Sequence, residues 1–388
     1  MYPYPRLPPG TGMMVGMTSG GDGERTRVVV VGAGQGGLSV SWYLRRLGLE
    51  VGRDLVVLDR GPGTGGAWQH RWESLRLGAA HRVHDLPGMA GLGLGFDSAD
   101  RSAPARDVVA EQYARYEAAL ELDVRRPVEV TGVTGLGDGF AVRWVGRASS
   151  GSVRAEVVVN ATGTWGAPFV PWYPGRDTFA GRQLHTSDYR AASELEGLDV
   201  VVVGGGTSAI GFVLELDGVA ASTTWVTRRP VDWLDQGELD VESAVAAVAA
   251  QDRAARAGQA LPSIVSGTGV PRTRRFVSGI ERGLLVERPM FSSIERDGVR
   301  WADGTFAHAD AIVWATGFRP ELRHLAPLGL RSADGGVSVE GGASTLDPRL
   351  FFAGYGPQAS TIGANRAGRA IARQVVARLS GSDAERRG

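Results

Sequence analysis

The stretch Val28-Val-Val-Val31-Gly32-Ala-Gly34-Gln35-Gly-Gly37 decides the fold. Four consecutive β-branched residues predict a strand buried on both faces, as in a parallel sheet. The chain then turns on its glycines into an apolar, helix-compatible run from Leu38 to Leu49. A G-x-G-x-x-G pattern in that setting has a physical reading as a dinucleotide site. Gly32 permits the tight turn, Gly34 lets a pyrophosphate approach the backbone, and Gly37 lets helix and strand pack closely. The helix start, with Gln35, presents unpaired N–H groups and a positive dipole end to the phosphates. A second hydrophobic strand, Leu55 to Leu58, ends in Asp59 and Arg60. Asp59 lies about twenty residues after the last glycine, where a carboxylate accepts hydrogen bonds from a ribose.

The pattern recurs at Asp199 to Gly211, DVVVVGGGTSAIG. Gly204 and Gly206 make the turn, Thr207 and Ser208 open the helix, and Ala209 takes the third small position. The following strand, Thr223 to Thr227, ends in Arg228 and Arg229 instead of an acid. An acid suits a free 2′-hydroxyl, whereas arginine suits a 2′-phosphate. The first unit therefore reads as an FAD site and the second as an NADPH site.

A chain of 388 residues implies two or three domains. Lys plus Arg and Asp plus Glu both total 42, and this balance argues against nucleic acid or an anionic membrane as partner. Cysteine is absent, which removes disulfides, thiolate metal sites and any redox-active cysteine pair. No run approaches the roughly twenty apolar residues of a membrane span. The Pro- and Gly-rich start, Met1 to Glu24, reads as a flexible extension without the apolar core of a secretory signal, so a cytoplasmic location is expected.

After Asp59, the loop GPGTGGAW lets backbone amides approach a flat ligand, with Trp68 packed against it. His81 and His84, three apart and without a third ligand, suit a pocket wall better than a metal. A helix is expected from Ala105 to Leu122, followed by a β-meander of Val128 to Val133, with Val130 toward the cofactor, Phe140 to Val145 and Val153 to Val159. The last of these leads into Asn160-Ala-Thr-Gly163, a small-residue exit beside a cofactor, and GAPFVPWYPG then forms an extended connection. Glu242 to Ala257 is helical, whereas residues 263–291 carry no clear pattern. The strand Ala311 to Ala315 runs into a second exit, Ala315-Thr316-Gly317, with Thr316 at the cofactor. Leu350 to Gly354 closes the sheet, and Gln358 precedes a helix that starts near Ser360 or Thr361 and faces the flavin ring. The expected class is α/β with two Rossmann-like domains, the NADPH domain inserted into the FAD domain. The expected divisions are an extension at 1–24, an FAD domain at 25–168 and 311–380, an NADPH domain at 169–310, and a polar tail from Ser380 onward, at 381–388.

These residues resemble the flavin-containing monooxygenases from about Arg27 to Leu379. The most specific element is Phe179-Ala-Gly181-Arg-Gln-Leu-His185-Thr-Ser-Asp-Tyr189, which fits the family fingerprint F-x-G-x-x-x-H-x-x-x-(Y/F). Baeyer–Villiger relatives usually carry tryptophan in the last place, so Tyr189 leans toward heteroatom oxidation. The resemblance implies that NADPH reduces FAD, which adds O₂ at C4a and passes one oxygen to a soft nitrogen, sulfur or arsenic atom of a small molecule. His185, as the linker residue coupling the domains, and His81 are the candidates for a part in catalysis. Gly78-Ala79-Ala80 stands where nitrogen-oxygenating members often place asparagine. The alternatives are a Baeyer–Villiger oxygenase, an NADPH-dependent flavin reductase that inserts no oxygen, and a sensor that binds both cofactors without turnover. The oligomeric state is open, with a homodimer among the options.

Overall fold

The computed structural model describes residues 23–80, 83–234, 241–262, 269–359 and 361–385. Strand β1 (Glu24–Val31) runs parallel to β2 (Leu55–Leu58) on one side and to β5 (Ser150–Asn160) on the other. Pairing of Val31 with both Leu58 and Asn160 brings three strand ends to one edge. The antiparallel strands β3 (Val128–Leu136) and β4 (Gly139–Gly146) branch from β5, and Leu350–Phe352 adds in parallel on its far side. Both faces of β1 are covered, as a run of four valines demands. Val28 and Val30 pack with helix α1 (Gln35–Arg46) and the C-terminal helix Thr361–Glu385, while Val29 and Val31 meet Phe140, Val142 and Phe352.

A second, wholly parallel sheet is built the same way. Its order is Glu287–Pro289, β8 (Ser222–Thr227), β7 (Asp199–Val203), Ala311–Trp314 and β6 (Arg182–His185). Val200 and Val202 join a core with Ile210 and Phe212 of helix α3 (Thr207–Leu216), whereas Val201 and Val203 face Phe291, Trp301 and Trp314.

Several boundaries move. The first strand starts at Glu24, inside the expected extension, and residues 1–22 lie outside the described residues. Helix α1 opens at Gln35 and closes at Arg46, because Gly36 and Gly37 already belong to its first turn. Helix α2 (Ala105–Ala119) stops before Leu122, and the meander strands run longer than expected. Within 263–291 the described residues hold strands at Val270–Pro271 and Glu287–Pro289 and a helix at Arg274–Glu281, capped by the Thr273 hydroxyl. The strand Ala311–Trp314, expected in the second part of the FAD domain, pairs with β6 and β7 instead. Its alternate residues enter both cores of the second sheet, as its place between two strands there requires. The final helix continues through Ser380 to Glu385, so the expected frayed tail is ordered that far. Arg27 holds it there, donating to the Leu379 carbonyl and the Asp383 carboxylate at 3.2 and 2.8 Å. Among the described residues, no helix is long and apolar enough to cross a membrane.

A β-carbon placed on Gly37 would lie 1.9 Å from the Gly32 carbonyl oxygen, a backbone atom that cannot step aside. The same change at Gly36 meets Ala353 at 3.4 Å, an ordinary contact. Gly37→Ala is therefore expected to lose on the order of 3 kcal/mol or more, as overpacking does at its severe end. Gly36→Ala should stay within about 1 kcal/mol of wild type. Denaturant unfolding of both variants checks this, and equal stabilities would refute the close approach.

Candidate functional site

A cavity of about 520 Å³ opens over the first glycine turn. Its wall brings together Gly32, Gly34, Gln35, Asp59, Arg60, Trp68, Val130, Gly163 and Gln358, all expected from the sequence. Gly37 lies outside that wall and serves the helix–strand contact. The cavity has the character of a phosphate cradle. Helix α1 begins without a side-chain cap, which leaves its first N–H groups for a ligand. A β-carbon on Gly34 would meet only the Gly66 Cα, at 3.8 Å, whereas one on Gly66 would strike the Gly34 Cα at 2.7 Å. The glycine loop thus lies bare against the glycine turn. The Gln358 Oε1 in the same wall is buried without a hydrogen-bond partner, as an atom awaiting a ligand would be. These features fit a bound dinucleotide.

Asp59, expected to face a ribose, is engaged with the backbone on both sides of the cavity. Its Oδ2 accepts the Ala33 N–H at 2.7 Å and its Oδ1 the Gly61 N–H at 2.8 Å, so one carboxylate fastens both loops of the cradle. Arg126 donates to it at 3.4 Å while pairing with Glu117 through two bonds of 2.7 Å.

A group missed by sequence reading stands opposite. At the end of β5, Asn160 Oδ1 accepts from His324 Nε2 at 2.9 Å. Thr162 donates to the Glu321 carbonyl at 2.7 Å. Burial works to raise the Glu321 pKa, yet the hydrogen bonds and charge of Arg323 bring it below the usual range, with Arg60 3.9 Å away. Burial pushes His324 down to about 4, and burial with the charges of Arg60 and Arg190 does the same to His70. Both imidazoles are neutral at pH 7. Glu321 precedes a short 3₁₀ turn, Arg323–Leu328, that contains His324, and no spacing signal marks either.

His185 ends strand β6 and is not on the cavity wall. Its Nε2 donates to the Gly317 carbonyl at 2.9 Å, and its Nδ1 accepts from the Ser187 N–H at 3.2 Å. With both nitrogens engaged and burial lowering its pKa, the ring is a neutral strut. It meets Phe318 edge-on at 4.8 Å, and Phe318 stacks on Trp165 at 4.8 Å, so the two chain exits touch. Tyr189 is buried and donates to Glu215 of α3 at 3.2 Å. The same carboxylate accepts from Trp72 at 3.2 Å and from Ser74 at 2.8 Å. His81 lies outside the described residues.

At the second turn, Gly204 has φ +147°, and a β-carbon there would sit 2.3 Å from the Ala315 carbonyl oxygen. Gly206 precedes α3, which also starts without a side-chain cap, and Thr207 is exposed beside Ser208. Arg228 and Arg229 are exposed just beyond β8 and make no ion pair among the described residues. Glu287 holds their loop by accepting from the Thr227 hydroxyl and the Val231 N–H, each at 3.1 Å. Thr316, expected at the cofactor, is not on the cavity wall and instead donates to the Phe169 carbonyl, anchoring the connection.

Residues 29–252 match the family described as pyridine nucleotide-disulphide oxidoreductase. The flavin-containing monooxygenase of Stenotrophomonas maltophilia is 33% identical, with a TM-score of 0.74 over 91% of this chain and 99% of that one. This chain belongs to the flavin-containing monooxygenases. The cofactors of this class are FAD and NADPH. An uncharacterized oxidoreductase of Bacillus velezensis is 24% identical over 84% of this chain and 90% of its own length. The indole-3-pyruvate monooxygenase of rice is 28% identical, covering 76% of this chain and 77% of its own. Despite the family's description, a sequence with no cysteine cannot carry a redox-active disulphide.

The buried imidazoles set an acid limb of stability. Below about pH 6.5 the unfolded chain binds protons that folded His324 and His70 refuse until about pH 4, so stability falls as pH drops through that window. For His324, which is 6% exposed, the loss is roughly 3 kcal/mol. His324→Gln is expected to flatten the fall by that amount in unfolding measurements between about pH 7 and pH 4.5. An unchanged slope would mean that His324 protonates freely in the folded protein.

Proposed function

We propose that this chain is an NADPH-consuming, FAD-dependent monooxygenase that transfers one oxygen atom of O₂ to a soft heteroatom, nitrogen or sulfur and by extension arsenic, of a small molecule. The observation that carries the reading is the continuity between the cradle over Gly34 and the aromatic stack of Trp165, Phe318 and His185, which joins the two glycine-turn units. Bound FAD would supply a hydride acceptor and an oxygen-activating ring. The chain's own groups would hold it: the α1 N–H groups its pyrophosphate, Asp59 and Arg60 its ribose, and Trp68, Val130, Gly163 and Gln358 its remaining surface. Gly204, Gly206, Thr207 and Ser208 cradle the NADPH phosphates, with Arg228 and Arg229 on the 2′-phosphate. His185 and Tyr189 fix the approach of one unit to the other. The first unit then comprises 25–168 and the chain after Trp314, with the second unit between them. O₂ and a small molecule are the reactants, and a cytoplasmic location accords with this chemistry.

Turnover with NADPH, O₂ and a mixed pair of probes, a thioether and a cyclic ketone, tests the reaction class. Sulfoxide formed nearly one for one with NADPH is the expected result. Ester from the ketone would favour Baeyer–Villiger chemistry, the activity named for a Streptomyces coelicolor relative that is 28% identical but is only 45% covered by this chain. NADPH consumption that yields only hydrogen peroxide would leave a reductase.

The coenzyme preference has its own test. Each guanidinium–phosphate pairing is worth about 1.5–3 kcal/mol. Arg228→Ala and Arg229→Ala are expected to raise the Michaelis constant for NADPH on the order of tenfold or more, with little change for NADH. Equal losses for both coenzymes in steady-state flavin reduction would show that these arginines do not read the phosphate.

A further inference from the structure

One charged group in the cavity has no ionic counterpart among the described residues. Arg71 follows the short 3₁₀ turn Gly66–His70 and lines the cavity. Its guanidinium lies over the Trp165 ring at 4.6 Å and the Trp68 ring at 5.6 Å. Its Nε is buried and makes no hydrogen bond. No ion pair holds it among the described residues, and burial alone depresses its pKa, to about 10, so it keeps its charge at neutral pH. Indole faces attract a cation but accept no strong hydrogen bond, so they only partly offset its desolvation. A half-buried, charged fork whose Nε is buried without an acceptor, and which lines a cavity, is a site for an anion.

The phosphate cradle does not account for that anion. Gly66, at the start of the turn, touches Gly34, whereas Arg71 lies beyond the turn's end with its guanidinium over Trp165. It stands where Trp165 stacks on Phe318, at the junction of the two units. His70, stacked on Trp165 at 6.1 Å, is neutral and offers no charge to offset that of Arg71.

We propose that Arg71 is the anion-recognising residue of the oxidation cavity, and that the substrate is an organic acid whose carboxylate pairs with this guanidinium while its soft atom faces the cofactor. The proposal takes the identity of the reacting atom from the monooxygenase reading above, but the anion site stands on its own geometry.

Calorimetric titration of the FAD-loaded enzyme without NADPH, using (phenylthio)acetate and its neutral amide, tests the site without turnover. Wild type is expected to bind the acid about tenfold or more tightly than the amide, in line with a charge-assisted pairing. Arg71→Met, which keeps the apolar stem, should weaken the acid alone and erase the preference, and Arg71→Lys should retain part of it. Equal binding of the two probes by wild type would overturn the proposal, as would equal weakening of both in Arg71→Met. So would lower FAD content or a raised NADPH requirement in Arg71→Met with the preference intact, because the anion would then be a cofactor phosphate. If neither probe is oxygenated but the preference appears in wild type and disappears in Arg71→Met, the anion site holds and the oxygenation reading fails.

Discussion

Both nucleotide-binding units depend on one backbone approach, the pressing of a glycine turn against the carbonyl of an alanine where a neighbouring strand ends. A β-carbon on Gly32 would lie 2.4 Å from the Ala161 carbonyl oxygen, and one on Gly204 would lie 2.3 Å from that of Ala315. Each contact requires a residue without a side chain at a positive φ, +104° and +147° respectively. Without that approach, neither helix start could stand over its strand edge with its N–H groups open to a ligand. The same two alanines begin the Ala-Thr-Gly exits, so each unit takes leave of its sheet at the point where it would hold its cofactor.

This coincidence explains why the hinge is aromatic. Where two exits leave side by side, their backbones need a packed partner that tolerates small changes in angle, and stacked rings provide it. Trp165 and Phe318 follow the two exits directly and stack on one another, with the His185 ring edge sealing the stack. The histidine of the fingerprint is therefore a joint between backbone carbonyl and ring, and its chemistry is suppressed by the burial that makes it useful as one.

How much of this was legible in the sequence depended on whether a local pattern carried it. The runs of valine and the glycines that follow announced both sheets, because burial on two faces and close backbone approach each demand particular residue types. That Gly34, Asp59 and Trp68 come together on one cavity wall follows from the same patterns. Asp59 was recognised by its spacing, but its grip on Ala33 and Gly61 depends on side-chain direction, which spacing does not encode. The strand Ala311–Trp314 was recognised as a strand and assigned to the wrong sheet, since an apolar run names no partner. His324, Glu321 and Arg71 were not identified at all: what distinguishes them is burial and the company of residues far away in sequence.

Trp72 belongs to the apolar core of the second sheet, packed on Tyr189 and Phe212, yet Trp68, four residues earlier, lines the cavity over the first. The peptide between these two indoles is consequently a tether made fast at both ends, with Glu215 clamping Trp72 and Ser74. A shift of the second unit would draw on the cavity wall through covalent bonds, and the wall would follow by traction, with no chain of intervening contacts to absorb the movement.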